Sequence, residues 1–117
     1  MKFPFDTKEL FDNCVKNDRM PKNDFKKQAV LLRILEGFED RVYSEEEVNE
    51  KIKVYFSDFA TVRRELVNYG YFSKDSYKSE YRVVKRELTL EDIENNTILK
   101  KHAEAYLWET FINSNDC

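Results

Sequence analysis

The sequence predicts a mainly α-helical fold with one small β-hairpin, which places it in the α+β class. Only two glycines and two prolines occur among 117 residues, and this favours helices over a sandwich of short strands. Two helix-start signals lie close together at Ser44 and Asp58, and Gly70 follows the second at a helical distance. Beyond Gly70, two runs of aromatic and β-branched residues flank a polar turn, as in a hairpin.

Two helices are predicted before the first glycine. Asp6, with a glutamate three residues later, has the spacing of a capping box, and Pro21 interrupts the helix that it starts. Asn23 or Asp24 can cap the next helix, whose apolar residues cover too wide an arc for a surface helix. We therefore expect this second helix to be the central strut of the core and to end at Gly37.

Two short amphipathic helices joined by a tight turn follow in the centre of the chain. Ser44 and Glu47 have the pattern of a capping box, so one helix should begin near Glu45. Ser57 and Asp58 are both candidate caps for the other. The apolar residues of these helices recur at spacings of three and four and are Val48, Ile52 and Tyr55, then Phe59, Val62, Leu66 and Tyr69.

The second of these helices has an outer side that could touch a partner. Thr61, Arg64 and Asn68 point directly away from its apolar arc. Arg63 lies on the flank of that arc, so we expect its stem to be packed and its guanidinium to pair with a carboxylate. The two adjacent arginines therefore receive different predictions.

The hairpin is predicted from strands over residues 71–73 and 81–84, and residues 41–43 offer a third short strand. Helix, turn, helix and hairpin follow one another as in a winged helix-turn-helix, here with additional N- and C-terminal helices. Tyr69, Tyr71 and Phe72 could stack on unpaired bases, but their position beside the helix end favours the core or the sheet.

The same stretch carries a family resemblance. It is carried by Tyr43, Ser44, Glu47, Val48 and Asn49, then Asp58, Arg63, Arg64, Leu66 and Val67, then Gly70 and Tyr71. With these residues the chain resembles a bacterial domain family of unknown function, DUF2087, over about residues 24–84. The resemblance implies a winged-helix-like fold and no catalytic residue, and some members are described as transcriptional regulators. The family tends to have an Asp-Gly turn in the hairpin, where this chain has residues 75–78 as Asp-Ser-Tyr-Lys.

The C-terminal region predicts a helix over residues 89–113 that Thr89 caps and that an Asn-Asn pair at 95–96 interrupts. Its apolar residues lie on more than one face and are Ile98, Ala105 and Ile112, then Leu99 and Tyr106, then Trp108 and Phe111. Such a helix needs two neighbours, which can be the N-terminal helix, the winged-helix body or the same helix of a second protomer.

One domain is expected over residues 1–117, because a chain of this length is too short for two domains of ordinary size. It comprises an N-terminal helical extension (1–21), a winged-helix core (22–86) and a C-terminal packing or dimerisation helix (89–113).

Charge is distributed unevenly along the chain. The net charge of -3 argues against a generic nucleic-acid binder. Residues 22–33 and 74–86 nevertheless each sum to +3, whereas residues 36–50 hold seven carboxylates and one arginine. This segregation could orient the molecule on phosphate, or it could be ordinary mixing of surface charge. The same two readings apply to Lys22, Lys26 and Lys27, which oppose the dipole at the start of their helix.

Signatures of an enzyme, a cofactor or a metal site are lacking in the sequence. His102 has no nucleophile at a recognisable spacing, and we expect it to lie at the surface or to pack between helices. Glu46 and Glu50 are expected to form a solvated acidic face, and the two cysteines are expected to be reduced thiols. Without a signal peptide or a long apolar run, the expected location is the cytoplasm, away from the membrane.

The sequence therefore predicts a winged-helix protein that binds double-stranded DNA and regulates transcription. Thr61, Arg64 and Asn68 would enter the major groove. The expected phosphate contacts are Lys74, Lys78 and Arg82 of the hairpin, with Lys26 and Lys27. A homodimer through the C-terminal helix would read a two-fold site. The alternative is a non-catalytic protein–protein interaction module on the same scaffold, which the negative total charge favours.

Overall fold

The computed structural model describes residues 2–104 and 106. The chain begins with two helices, α1 (Thr7–Lys16) and α2 (Asp24–Leu35). Asp6 caps α1 and Asn23 caps α2, each through a side-chain oxygen that accepts hydrogen bonds from backbone amides of the first turn. Both predicted helices are confirmed. The first residue of each follows a capping side chain, so the local sequence alone fixes where each one starts.

The centre of the chain forms two helices joined by a short turn, α3 (Glu45–Lys53) and α4 (Phe59–Asn68). Ser44 caps α3 with both hydrogen bonds of a capping box, and Asp58 caps α4. Ser57, the other candidate cap, instead donates its hydroxyl to Asp18, just beyond α1. The two predicted helices are confirmed, and the turn between them is also held to the N-terminal region.

Gly70 ends α4 in the left-handed conformation, with φ of 83°. The Tyr71 amide donates to the Leu66 carbonyl at 2.9 Å, and the Gly70 amide donates to the Val67 carbonyl at 3.0 Å. These two hydrogen bonds form a Schellman motif, which satisfies the last carbonyls of the helix. The chain therefore leaves α4 in a fixed direction and enters the sheet without a long loop.

The sheet contains three short antiparallel strands, β1 (Tyr43–Ser44), β2 (Phe72–Asp75) and β3 (Glu80–Val83). Their order is β1-β3-β2, so the hairpin partner β3 is central. The α+β class is confirmed, and the strand bounds differ from the predicted ones by one or two residues. From α2 onward the elements follow in the order α2, β1, α3, α4, β2 and β3, which is the order of a winged helix. The winged-helix assignment itself stays a prediction.

The larger of two hydrophobic clusters joins α2, α3, α4 and the sheet. It includes Leu31, Ile52, Leu66 and Phe72, all of them buried. Tyr71 and Phe72 belong to this cluster, which confirms that they are core residues. Because the cluster holds the inner sides of α3 and α4 against the sheet, the outer side of α4 remains at the surface.

The C-terminal region packs on α2 of the same chain. It contains α5 (Leu90–Glu94) and, after a break at Asn95 and Asn96, a helix α6 that is described over residues 97–104 and 106. Thr89 caps α5, so the predicted cap and the predicted interruption are both confirmed. The second hydrophobic cluster consists of Phe25, Leu88, Ile93, Leu99 and Ala103. Ala105, Trp108, Phe111 and Ile112 of the predicted apolar faces lie outside the described residues.

A hydrogen bond joins α6 to the beginning of α2. His102 Nδ1 accepts a hydrogen bond of 2.8 Å from the Asp24 amide. The only histidine of the chain thus packs between helices, as expected from the sequence. Over the residues that the structure covers, no helix combines the length and the apolar character needed to cross a membrane.

Candidate nucleic-acid interface

The outer side of α4 is exposed over its full length. Thr61, Arg64 and Asn68 are all exposed, while Val62 and Leu66 on the opposite side are buried. The angular prediction for this helix is therefore confirmed as geometry. A row of a hydroxyl, a guanidinium and a carboxamide is able to donate and accept hydrogen bonds on base edges.

A groove of about 280 Å³ lies between α4 and the hairpin. The residues that line it are Arg63, Arg64, Val67, Asn68, Lys74 and Tyr81. Lys74 of β2 stands opposite Tyr81 of β3 in the sheet register, so both side chains are on the face that looks toward α4. Among these lining residues three carry a positive charge and none carries a negative one. The groove thus brings two predicted helix residues together with one predicted hairpin residue.

Arg63 forms the inner wall of this groove and is only 13 % exposed. Its Nε lies 3.7 Å from Glu45 Oε1, and its Nη1 donates to Asn49 Oδ1 on α3. The expectation of a packed stem and a carboxylate-paired guanidinium is confirmed. Arg63 therefore ties α4 to α3, and its neighbour Arg64 is left to face outward.

Glu45 connects three elements beneath the groove. Its Oε1 accepts a hydrogen bond of 2.6 Å from the Tyr81 hydroxyl and lies 4.0 Å from the Lys74 ammonium. The hydrogen bond from Tyr81, followed by the charge of Arg63, lowers the pKa of Glu45. Burial, followed by the hydrogen bond to Glu45, raises the pKa of Tyr81 to about 12. At neutral pH the pair is thus a carboxylate that accepts and a phenol that donates.

The remaining hairpin cations lie away from the groove. Arg82 follows Tyr81 and so points to the opposite face of the sheet, while Lys78 lies in the turn; both are exposed. Asp75 Oδ1 accepts from the amides of Tyr77 and Lys78, and Ser79 adopts a positive φ of 51°. The hairpin therefore closes through an aspartate-centred turn with a left-handed serine.

The Lys27 ammonium is already paired within the chain. Its Nζ lies 3.1 Å from Glu65 Oε1 and 3.6 Å from Asp24 Oδ1, and the side chain is 16 % exposed. Burial alone would lower the pKa of Lys27, but the hydrogen bond and the charge of Glu65 outweigh it and raise the pKa. A lysine held in this way stabilises the contact between α2 and α4, and the phosphate contact of Lys27 stays a prediction.

Lys26 also lies apart from the hairpin. It is half-buried and lines a cleft of about 730 Å³ between α1 and the start of α2, together with Cys14, Arg19 and Lys22. Its ammonium is 5.6 Å from the centre of the Tyr106 ring. The structure therefore does not bring Lys26 together with Lys74, Lys78 and Arg82 on one surface.

Two further cations of the basic segment 74–86 have structural partners. Lys85 pairs with Asp92 at 2.6 Å. Arg86 donates to the carbonyls of Leu35 and Phe38 and lies 3.2 Å from Asp40. Within this segment Lys78 and Arg82 are exposed, and Lys74 is partly exposed beside Glu45 at 4.0 Å.

Metal ligands do not cluster in the described part of the chain, where no group of three or more histidine, cysteine, aspartate or glutamate residues could hold an ion.

Sequence reasoning did not foresee the contact between Glu45 and Tyr81. Its one available signal was the position of Glu45, directly after the predicted edge strand and within the first turn of a helix.

Comparison with known proteins gives one family. Residues 18–83 match the model of a family that is described as an uncharacterised protein conserved in bacteria. This range takes in α2, α3, α4 and the whole sheet, and therefore the groove. Searches of curated proteins and of solved structures give no match.

Proposed function

Because this chain belongs to DUF2087, a family of uncharacterised bacterial proteins, its function must come from the site, and we propose that it binds duplex DNA as a winged-helix regulator of transcription. The family match covers residues 18–83, which is more than half of the chain, and the family description assigns no activity. The proposal therefore rests on the residues of α4 and the hairpin.

The groove between α4 and the hairpin is the observation that carries the proposal. Arg64 and Asn68 on one wall face Lys74 on the other, and no carboxylate lines the groove among the described residues. A helix that offers base-reading groups beside a cation-bearing hairpin can enter a major groove while the hairpin follows the phosphates. Glu45 lies beneath and serves to hold Arg63 and Tyr81 in place.

Each exposed residue has a distinct role in this proposal. Arg64 can donate two hydrogen bonds to guanine, and Asn68 can pair with adenine. Thr61, one turn earlier, supplies a methyl group and a hydroxyl. Lys78 and Arg82 bind phosphates on the outer side of the hairpin and carry no sequence information. The total charge of -3 means that this local surface, and not the whole molecule, must supply the attraction.

Fluorescence anisotropy with a labelled mixed-sequence duplex tests the proposal. Binding should be measurable at low salt and should weaken with a slope of log K against log salt of about -3, as about three phosphate contacts require. Arg64→Glu should abolish binding. Lys16→Glu makes the same charge change at an exposed position of α1, and this variant should retain most of the DNA binding. Absence of binding at low salt, or equal binding by Arg64→Glu and the unaltered protein, contradicts the proposal.

Self-association or docking of a protein is the second candidate, and the exposure of Ile98 favours it. Ile98 on α6 is 60 % exposed, although its neighbour Leu99 is buried on α2. In the sequence Ile98 begins the seven-residue line that Ala105 and Ile112 continue, both outside the described residues. Sedimentation velocity separates the two candidates: Ile98→Asp should dissociate an assembly that Arg64→Glu leaves intact.

A further inference from the structure

A second, smaller cavity of about 190 Å³ lies where α2, the end of α4 and the C-terminal elements meet. Its polar lining includes Gln28, Asn68, Lys85, Asp92, Asn95 and Asn96. The hairpin residues that are proposed to bind phosphate do not line this cavity, and neither do Thr61 and Arg64 of the base-reading row; Asn68 of that row does. Four of the six residues are carboxamides, a side chain that both donates and accepts hydrogen bonds.

Gln28 is the most informative of these residues because it is fully buried in α2. Its Oε1 accepts a hydrogen bond of 2.7 Å from the Tyr71 hydroxyl. Its Nε2 has no hydrogen-bond partner within the part of the chain that the structure describes. A buried donor left unpaired costs free energy, and native proteins retain few of them. Gln28 thus places an unpaired donor beside this cavity, where no acceptor of the described residues bonds to it.

Tyr71 fixes which end of the carboxamide is available. The Tyr71 hydroxyl donates a hydrogen bond to Gln28 Oε1, and burial raises the pKa of Tyr71 above its ordinary value. The amide nitrogen of Gln28 is then the free end. An occupant that satisfies it must offer an acceptor oxygen, such as that of a carbonyl or a carboxylate.

The charge and the size of the cavity narrow the class of occupant. Lys85 and Asp92 face each other at 2.6 Å, so the charged residues of the lining sum to zero. A neutral or zwitterionic molecule meets this balance better than an anion does. Cavities that hold drug-sized ligands measure about 300 to 1,000 Å³, so 190 Å³ suits a molecule of amino-acid size.

We propose that this cavity binds a small neutral or zwitterionic metabolite, of the size of a free amino acid, which places a carbonyl or carboxylate oxygen against Gln28 Nε2. The contact would satisfy the buried amide, and Asn68 and Asn95 would bond the other polar groups of the ligand. The cavity lies at the C-terminal end of α4 and shares Asn68 with the proposed base-reading row, so binding to it is tested without DNA.

Thermal unfolding of the full chain with the L-amino acids and acetamide, added one at a time at about 10 mM and without DNA, tests this inference. At least one compound should raise Tm by about 3 °C or more, with one site by titration calorimetry. Gln28→Leu keeps the volume but removes the amide, and should abolish the shift. Lys22→Ala, in the larger cleft beside α1, should retain it.

Asn68→Ala provides a second variant at an exposed position, in case Gln28→Leu fails to fold. It should weaken binding of the same compound by at least about fivefold, as expected for a lost hydrogen bond. Three results overturn the inference: no compound raises Tm, the shift survives in both variants, or a crystal grown with the compound contains only ordered water beside Gln28.

Discussion

The Tyr81 hydroxyl donates a 2.6 Å hydrogen bond to Glu45 Oε1 and so joins β3 to the first turn of α3. The same oxygen lies 3.7 Å from Arg63 Nε on α4. One carboxylate therefore contacts the strand and the helix that form the two walls of the groove. Because all three residues are partly shielded, changes at Glu45 should be visible in the titration of its partners.

Replacing Glu45 should lower the pKa of Tyr81. That pKa is about 12, with burial as the first cause and the hydrogen bond to Glu45 as the second. Glu45→Gln removes the acceptor charge only, so the pKa of Tyr81 should fall while staying above the ordinary value of about 10. NMR titration of ¹³C-labelled tyrosine measures it. Glu46→Gln, one residue along the same helix and exposed, should leave the titration unchanged.

The alkaline stability of the fold should follow the same pair. A phenol whose pKa is raised in the folded state contributes stability that is present below about pH 10 and is lost as the pH rises toward about 12. Chemical unfolding at several alkaline pH values should show this loss of stability. Tyr81→Phe should remove the part of the loss that ionisation of Tyr81 causes. An equally steep loss in Tyr81→Phe would assign the effect to another group.

Lowering the pH should also weaken the contact between Tyr81 and Glu45, because it protonates the Glu45 carboxylate. The pKa of Glu45 is lowered, first by the Tyr81 hydrogen bond, so its contribution to stability is present above the ordinary glutamate pKa and is lost as the pH falls through the lower folded value. Tyr81→Phe should move the pKa of Glu45 back toward its ordinary value of about 4.3. A carboxyl-detected NMR titration of the unaltered protein and of Tyr81→Phe measures it.

Arg63 and Arg64 should respond differently to the same substitution. Arg63→Ala removes a packed side chain that contacts Glu45 and Asn49, and should lower the free energy of unfolding by about 1 to 2 kcal/mol. Arg64→Ala is a surface change and should stay within about 0.5 kcal/mol. Denaturant unfolding measures both. Equal destabilisation by the two variants would contradict the assignment of Arg63 as a packed residue and Arg64 as an exposed one.

The features that the sequence predicted are local ones. Ser44 and Asp58 cap helices through residues three positions away, and Gly70 ends a helix through contacts within one turn, so the information lies in a few adjacent residues. The different environments of Arg63 and Arg64 followed from helical angles alone. Burial of the aromatic residues after Gly70 also followed from their position.

Contacts between distant residues could not be predicted in this way. Lys27 reaches Glu65 across 38 positions, and Gln28 reaches Tyr71 across 43, so neither pairing leaves a pattern in a local window. The ion pairs of Lys27 could therefore not be foreseen, and its contact with phosphate stays a prediction. The net charge of a sequence segment is uninformative for the same reason, because it counts lysines that form ion pairs within the chain together with exposed ones.

Gly70 and Gly37 form a matched pair for testing the helix end. Gly70 has φ of 83°, and a Cβ there would meet no atom within 4 Å, so Gly70→Ala should lose about 1 to 2 kcal/mol through the backbone conformation alone. At Gly37 a Cβ would lie 3.5 Å from the Ile34 carbonyl oxygen, an ordinary contact. Gly37→Ala should be neutral or stabilise by up to about 1 kcal/mol. Thermal denaturation compares them, and the opposite ranking would contradict the Schellman assignment.

His102 should stabilise the junction of α6 with α2 through Nδ1. It accepts from the Asp24 amide at 2.8 Å, while Asn23 accepts from the Phe25 and Lys26 amides, so the two side chains together cap the start of α2. His102→Ala leaves the Asp24 amide without this acceptor and should cost about 1 kcal/mol, which lowers Tm by roughly 4 °C. His102→Asn places Oδ1 near the position of Nδ1 and should recover most of the loss. If His102→Ala and His102→Asn unfold at the same temperature, packing of the ring and not the hydrogen bond holds α6 on α2, because only the asparagine restores an acceptor.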